Sequence, residues 1–103
     1  MYKQFTESVI EIIKIIPAGK VQTYGGISKL AGHPNGARQV VRILSSMSGK
    51  HNLPWHRVIN SKGALPRLND EMFAEQKSLL ENDKVKVNEA GKVDLKKFLW
   101  NGE

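Results

Sequence analysis

Lys14, Lys20, Lys29, Arg38, Arg42, Lys50, Arg57, Lys62 and Arg67, together with all three histidines, fall in a stretch from Ile12 to Asn69 that contains no Asp or Glu. The ten acidic residues all lie outside it, at Glu7, Glu11 and from Asp70 onward, and the formal net charge is +6. Clustered cations without intervening carboxylates create a positive field that draws phosphates. The polyanion this implies is a nucleic acid or an anionic membrane surface, and charge does not choose between them.

Other chemistry is excluded by composition. The chain has no cysteine, so it has no disulfide, thiolate metal ligand or cysteine nucleophile. His33, His51 and His56 lack metal-ligand spacing, so neither a metal nor another cofactor is expected. Within the basic stretch no carboxylate is available for acid–base work, although Asp83 can approach in the fold. Trp55 sits in Leu53-Pro54-Trp55-His56-Arg57-Val58-Ile59. An indole has no lone pair for nucleophilic attack, and its N–H is only a hydrogen-bond donor. What Trp55 can supply is an aromatic wall.

These residues need elements to position them. At 103 residues the chain has room for one domain, 1–103. No apolar run approaches the ~18 residues of a membrane span, and the mixed polar start does not resemble a secretory leader, so the cytoplasm is the expected compartment. Phe5, Val9, Ile12, Ile13 and Ile16 recur at helical spacing, which predicts an amphipathic helix over 3–16, stopped by Pro17-Ala18-Gly19. Thr23 caps a short helix that Gly32 ends. After the turn His33-Pro34-Asn35-Gly36, a second helix is predicted over 37–46. Its apolar stripe is Ala37, Val40, Val41 and Leu44, with Arg38, Arg42 and Ser45 on a neighbouring face. This is a helix-turn-helix pattern, though a helical hairpin with solvated arginines reads the same way.

A polar loop then leads to Trp55. Asn60-Ser61-Lys62-Gly63 reads as a turn, and Asp70 as the cap of a helix whose shared face is Met72, Phe73, Gln76, Leu79 and Leu80. Val85-Lys86-Val87 and Lys92-Val93-Asp94 flank Asn88-Glu89-Ala90-Gly91 as a small terminal hairpin. Leu95, Phe98, Leu99 and Trp100 are expected to pack back on the body. The fold class is α+β, mainly helical.

Taken in order, Ile16-Pro17-Ala18-Gly19-Lys20-Val21-Gln22-Thr23-Tyr24-Gly25, then Gly36-Ala37-Arg38-Gln39-Val40-Val41, then the Trp55 block closely resemble the O6-alkylguanine-DNA alkyltransferases. In those enzymes the last block reads Pro-Cys-His-Arg-Val. The resemblance covers nearly the whole chain, but only the family's C-terminal, DNA-binding and active-site domain. A Pro-Trp-His-Arg block in a chain this short is similar to the alkyltransferase-like proteins. The resemblance implies an alkyltransferase C-terminal-domain-like fold with a winged-helix-like helix-turn-helix and a small C-terminal hairpin. It implies a monomer that binds double-stranded DNA containing O6-alkylguanine through the minor groove, flips the lesion and marks it for nucleotide excision repair.

Residue by residue, the resemblance gives Gly36 and Ala37 as the small residues that allow close approach to the groove. Arg38 becomes the finger that fills the vacated base stack, Tyr24 the residue that turns the phosphate, and Arg42 a further DNA contact. Trp55 replaces the reactive cysteine, so alkyl transfer onto the protein has no acceptor. Pro54, Trp55, Val58 and Arg67 are expected to shape the lesion pocket, although Arg67 departs from the enzymes' Gly/Tyr-containing loop. His56 keeps its place without a thiol to deprotonate and becomes a structural hydrogen-bonder. Asp83 stands near the enzymes' activating Glu and pairs with His56 or Arg57. Met47 stands where the enzymes carry a hinge asparagine. The rival readings are a helix-turn-helix transcription regulator, which would read base edges in the major groove, and a glycosylase or dealkylase.

Overall fold

The computed structural model describes residues 2–66 and 69–102. Its elements in chain order are α1 (Tyr2–Lys14), β1 (Gln22–Thr23), α2 (Tyr24–Leu30), α3 (Ala37–His51), a 3-10 turn (Trp55–Arg57), β2 (Val58–Ile59), α4 (Asp70–Asn82) and α5 (Leu95–Phe98). The fold is α+β and mainly helical, as expected. None of the described helices is long and apolar enough to cross a membrane.

α1 stops two residues before its expected end. The residue before a proline is disfavoured in helical conformation, and ahead of Pro17 the Ile15 and Ile16 amides bond the carbonyls of Ile12 and Ile13, three residues back, at 3.3 Å each. That tightening closes the helix. α2 starts where expected, with the Thr23 hydroxyl accepting from the Gly26 amide at 2.9 Å. Gly32 leaves it at φ +90°, a conformation costly for any residue with a Cβ.

α3 runs five residues beyond its expected end, to His51. Within the continued helix the Ser46 hydroxyl donates to the Arg42 carbonyl at 2.9 Å. The helix ends instead at Asn52, with φ 52°, the left-handed exit that asparagine tolerates. The expected polar loop before Trp55 therefore shrinks to Asn52, Leu53 and Pro54. The buried stripe of α3 is Val40, Ile43 and Leu44, whereas Val41 is 40% exposed. α4 is capped by Asn69, whose side chain accepts from the Met72 amide at 2.7 Å. Asp70, the expected cap, is its first helical residue.

Two apolar clusters organise the packing. One joins α1, α2 and α3 through Val9, Ile13, Ile27 and Val40, with Val58 and Trp100 added. The other gathers Val21, Ile59, Leu65, Leu80, Val85 and Val93. β1 and β2 pair in parallel, Gln22 with Val58 and Thr23 with Ile59. Successive strand residues face opposite sides of a sheet, so Val58 joins the helical cluster and Ile59 joins the other. The chain enters the Trp55 turn on one side of this partition and is held by both cores immediately after it.

The expected terminal hairpin is reduced to one antiparallel bridge, Val87 to Val93. Its partner is the preceding turn: Ala64 bridges Lys92, and the Val93 amide bonds the Gly63 carbonyl at 2.8 Å. A Cβ on Gly63, which has φ +81°, would stand 2.7 Å from the Val93 carbonyl oxygen. Trp100 packs back as expected, with its amide on the Val21 carbonyl at 2.8 Å. Leu99 stays 42% exposed.

Candidate nucleic-acid interface and lesion pocket

Pro54 has φ −75° and ψ 66°, the dihedrals of an inverse γ-turn, and the turn is closed by the Trp55 amide on the Leu53 carbonyl at 2.8 Å. Proline presets that φ. The next turn is closed by the Arg57 amide on the Pro54 carbonyl at 3.0 Å. Backbone geometry thus fixes where Trp55 leaves the chain.

The other side of the turn is held by α4. His56 Nε2 and Asp83 Oδ2 are 2.9 Å apart. Arg57 donates through Nε to the same oxygen at 2.8 Å and through Nη1 to the Ile16 carbonyl at 2.9 Å. Asp83 therefore pairs with both of its candidate partners. Partial burial pushes its carboxyl up, but the hydrogen bonds and charges of Arg57 and His56 outweigh that and hold it below the usual carboxylate range. Gln76, only 2% exposed, donates to the carbonyls of His56 and Val58 at 3.1 Å each.

Above this turn opens a cavity of about 460 Å³. Trp55 and Val58 form one wall; Val41, Leu44 and Ser45 of α3 and Tyr24 of α2 form another. Met72, Glu75 and Gln76 of α4, with Pro66, complete it. Such a largely apolar space with a few polar groups is the usual form of a small-ligand site. Burial raises the Tyr24 phenol above its ordinary value, so it stays protonated and can donate. A second cleft, of about 380 Å³, lies beside the helix-turn-helix turn between Phe5, His33 and Gln39. It does not include Trp55.

The residues expected at the site are distributed unevenly. Tyr24, Trp55 and Val58 share the cavity. Pro54 is not part of its wall: its place is the γ-turn beneath it. Arg38 and Arg42 are exposed on α3, four residues apart, and neither forms an ion pair among the described residues. Ala37 is half-buried at the start of the same helix.

Gly36 closes the turn ahead of α3. It is buried, its amide donates to the Ser28 hydroxyl at 2.8 Å, and a Cβ there would stand 2.5 Å from that oxygen and 3.1 Å from Phe5. Its small size serves the packing of α2 against α3. The Ser28 hydroxyl in turn donates to the His33 carbonyl. Arg67 lies outside the described residues, between Pro66 on the cavity wall and Asn69 at the start of α4.

Sequence reasoning missed the α3 and α4 contributions to the cavity. One signal was present: Gln76 is a polar residue in the middle of an apolar helix face, and a buried polar group is more informative than a buried apolar one. Glu75, outside the acid-free stretch, also brings a carboxylate to the cavity that Trp55 lines.

The comparisons fit this geometry. Residues 4–85 match the family described as 6-O-methylguanine DNA methyltransferase, DNA binding domain. A protein of Vibrio parahaemolyticus described as a DNA base-flipping protein is 42% identical over 94% of this chain and 96% of its own length. Alkyltransferase-like protein 1 of Schizosaccharomyces pombe is 33% identical, with 94% of each chain covered. The crystal structure of that protein, Atl1, in complex with damaged DNA containing O6-carboxymethylguanine superposes with a TM-score of 0.87 over 96% of both chains. On these matches, and with no cysteine in its sequence, the chain belongs to the alkyltransferase-like branch of the 6-O-methylguanine DNA methyltransferase DNA-binding-domain family.

Proposed function

We propose that this protein recognises O6-alkylguanine in double-stranded DNA, turns the lesion out of the helix into the cavity beside Trp55, and leaves the alkyl group in place. The observation that carries this reading is Trp55 on the wall of a cavity of about 460 Å³ in a chain without cysteine. The modified oxygen lies on the pairing edge, so a pocket tests it only after extrusion, at a cost of a few kcal/mol that falls for a poorly paired lesion.

In this reading Arg38 enters the gap left by the flipped nucleotide, where a planar guanidinium stacks and donates at once. Tyr24 donates its phenolic proton toward the phosphate or base at the cavity entrance. Ala37 and Arg42 lie along the groove, Trp55 and Val58 pack on the base and its alkyl group, and Arg67 stacks on or hydrogen-bonds the base from the 66–69 segment. Asp83, tied to Arg57 and His56, holds the turn and is not free to activate water. The complex marks the site for nucleotide excision repair, with the protein acting as a monomer in the cytoplasm.

Mass spectrometry of a duplex containing O6-methylguanine after incubation with the protein tests the non-enzymatic claim. Intact lesion and unmodified protein are expected. A depurinated, cleaved or dealkylated strand contradicts it and turns attention to Glu75. In a parallel fluorescence measurement with 2-aminopurine beside the lesion, Arg38→Ala is expected to abolish the signal of flipping while the protein stays folded; an unchanged signal removes Arg38 from that role.

A further inference from the structure

We infer a second site for the DNA backbone, at the corner where the 17–20 loop meets the exit of α4 and α5. There Lys20, Lys84 and Lys97 hold the phosphates of another duplex segment while α3 and the cavity hold the first. The inference goes beyond lesion recognition, because this corner shares no residue with the cavity or with α3.

Three segments distant in the chain meet at this corner. A Cβ on Gly19, which has φ +93°, would stand 3.6 Å from the Asp83 carbonyl oxygen, so the loop lies against the end of α4. The Lys20 ammonium donates to the Lys97 carbonyl at 3.3 Å, and Val21 bridges Leu99 in parallel. Lys84 and Lys97 are exposed and Lys20 is half-buried. None of the three forms an ion pair among the described residues, with Glu81 or any other acid. Asp83 is held by Arg57 and His56, and Asp94 caps α5 by accepting from the Lys96 amide at 3.0 Å. The acids at the corner are therefore engaged elsewhere and leave the lysines uncompensated.

Lys84 holds its place against a conformational cost. The Val85 amide bonds the Leu80 carbonyl at 2.9 Å and the Lys84 amide bonds the Glu81 carbonyl at 3.0 Å, the paired bonds of an exit that favours glycine. The same pair closes α2, where His33 bonds Ser28 and Gly32 bonds Lys29, and there the left-handed residue is glycine. Lys84 takes φ 70° instead, at about 1 kcal/mol or more for its Cβ. A cation at a helix C-terminus recovers about 0.3–1 kcal/mol, but a lysine within the last turn would supply that without strain. Strain kept at an exposed position points to a use for the side chain there.

The corner stands away from the cavity. Asp83 lies about 10 Å of helix beyond Gln76 on the cavity wall, and Arg57 ties it to Ile16, at the head of the loop, beneath the Trp55 turn. Lysine is a flexible point charge that suits phosphate without demanding one geometry, and such contacts carry no sequence information. A duplex seated on α3 also brings neighbouring duplex to a high effective concentration. α5, four residues long, offers no apolar helix face of the kind that enters a bilayer.

The test docks the protein on beads carrying an O6-methylguanine duplex and measures its capture of an unmodified fluorescent duplex. The native protein is expected to capture it. Lys20→Gln, Lys84→Gln and Lys97→Gln combined are expected to lower capture about tenfold or more, with little change in retention on the beads. The slope of log affinity for the second duplex against log salt is expected to become shallower by about two to three. A matched variant, Lys62→Gln with Lys77→Gln and Lys92→Gln, loses the same charge elsewhere and is expected to keep capturing. No capture by the docked native protein, or capture that survives in the first variant, overturns the inference. An equal loss in the matched variant also overturns it, by making bulk charge the cause. Capture of phosphatidylglycerol vesicles in preference to the duplex overturns DNA as the occupant. Failure of the native protein to stay on the lesion beads is read from retention alone and contradicts the lesion reading instead. The lysine site is then decided by duplex binding in solution, native against the first variant, where equal affinity overturns it.

Discussion

Trp55 is held by its neighbours more than by its own packing. The Pro54 γ-turn sets its exit from the chain, and Gln76, Asp83 and Arg57 fix the carbonyls and side chains immediately after it. Its indole is left half-buried against the cavity, free to take a ligand. Aromatic stacking on a base is worth ~1–3 kcal/mol by alanine substitution. Trp55→Ala is therefore expected to lower affinity for O6-methylguanine DNA by about tenfold or more while changing affinity for unmodified DNA much less. Equal loss on both duplexes, measured by fluorescence anisotropy, removes Trp55 from lesion discrimination.

Asp83 gives a second residue-scale prediction, in stability. Its carboxyl is held below the ordinary value of 3.8, so folding favours the ionised form. That contribution is complete above the unfolded-state value and is lost as the pH falls through the lower folded-state value. Asp83→Asn is expected to cost about 1–3 kcal/mol at neutral pH, with the difference from the native protein shrinking as the pH falls below the ordinary carboxylate range. Chemical denaturation at several pH values measures it. A cost that persists unchanged in acid removes the ion pairs as its cause.

At the scale of elements, the α2–α3 turn is tightly packed. Gly36 is confined by Ser28 and Phe5, and the Ser28 hydroxyl bridges the turn. Gly36→Ala is expected to destabilise the protein by about 1–3 kcal/mol through overpacking. Once folded, the variant should keep its preference for lesion DNA; loss of that preference without loss of stability restores Gly36 to the DNA surface.

The helices themselves were legible in the sequence wherever periodicity and a cap agreed, as at Thr23. They were not where a local signal was overruled. The second helix was expected to end at Ser46, but packing of Ile43, Leu44 and Met47 on the core accompanies its continuation to His51. The Asp70 cap yielded to Asn69 because the residue one earlier adopts the extended backbone a cap requires. The hairpin was read as two strands pairing with each other; they meet at the Val87–Val93 bridge, but the second is bonded mainly to the 60–65 turn, a long-range contact that no local pattern encodes. Likewise Tyr24, Val58 and Trp55, singled out by their motifs, line one cavity. The α4 wall was not legible, since only the folded chain brings Met72, Glu75 and Gln76 over the turn.

For the whole molecule, the segregation of charge reappears as a division of labour. The acid-free stretch supplies α2, α3 and the Trp55 turn, while the acidic C-terminal third supplies the cavity's far wall and the Asp83 anchor. Phosphate contacts release counterions and carry no sequence information. Raising salt from about 50 to about 200 mM is therefore expected to weaken binding to lesion and unmodified duplexes by similar factors, leaving their ratio nearly constant. A ratio that collapses with salt makes the discrimination electrostatic and moves it away from the cavity.

The most direct measurement is a titration of one duplex sequence carrying either O6-methylguanine or guanine at a single position, at fixed salt. Preference for the lesion duplex, retained when the surrounding sequence is changed, is the expected result. Equal affinity for both, with strong dependence on the surrounding sequence, contradicts lesion recognition and identifies a sequence-reading helix-turn-helix protein in its place.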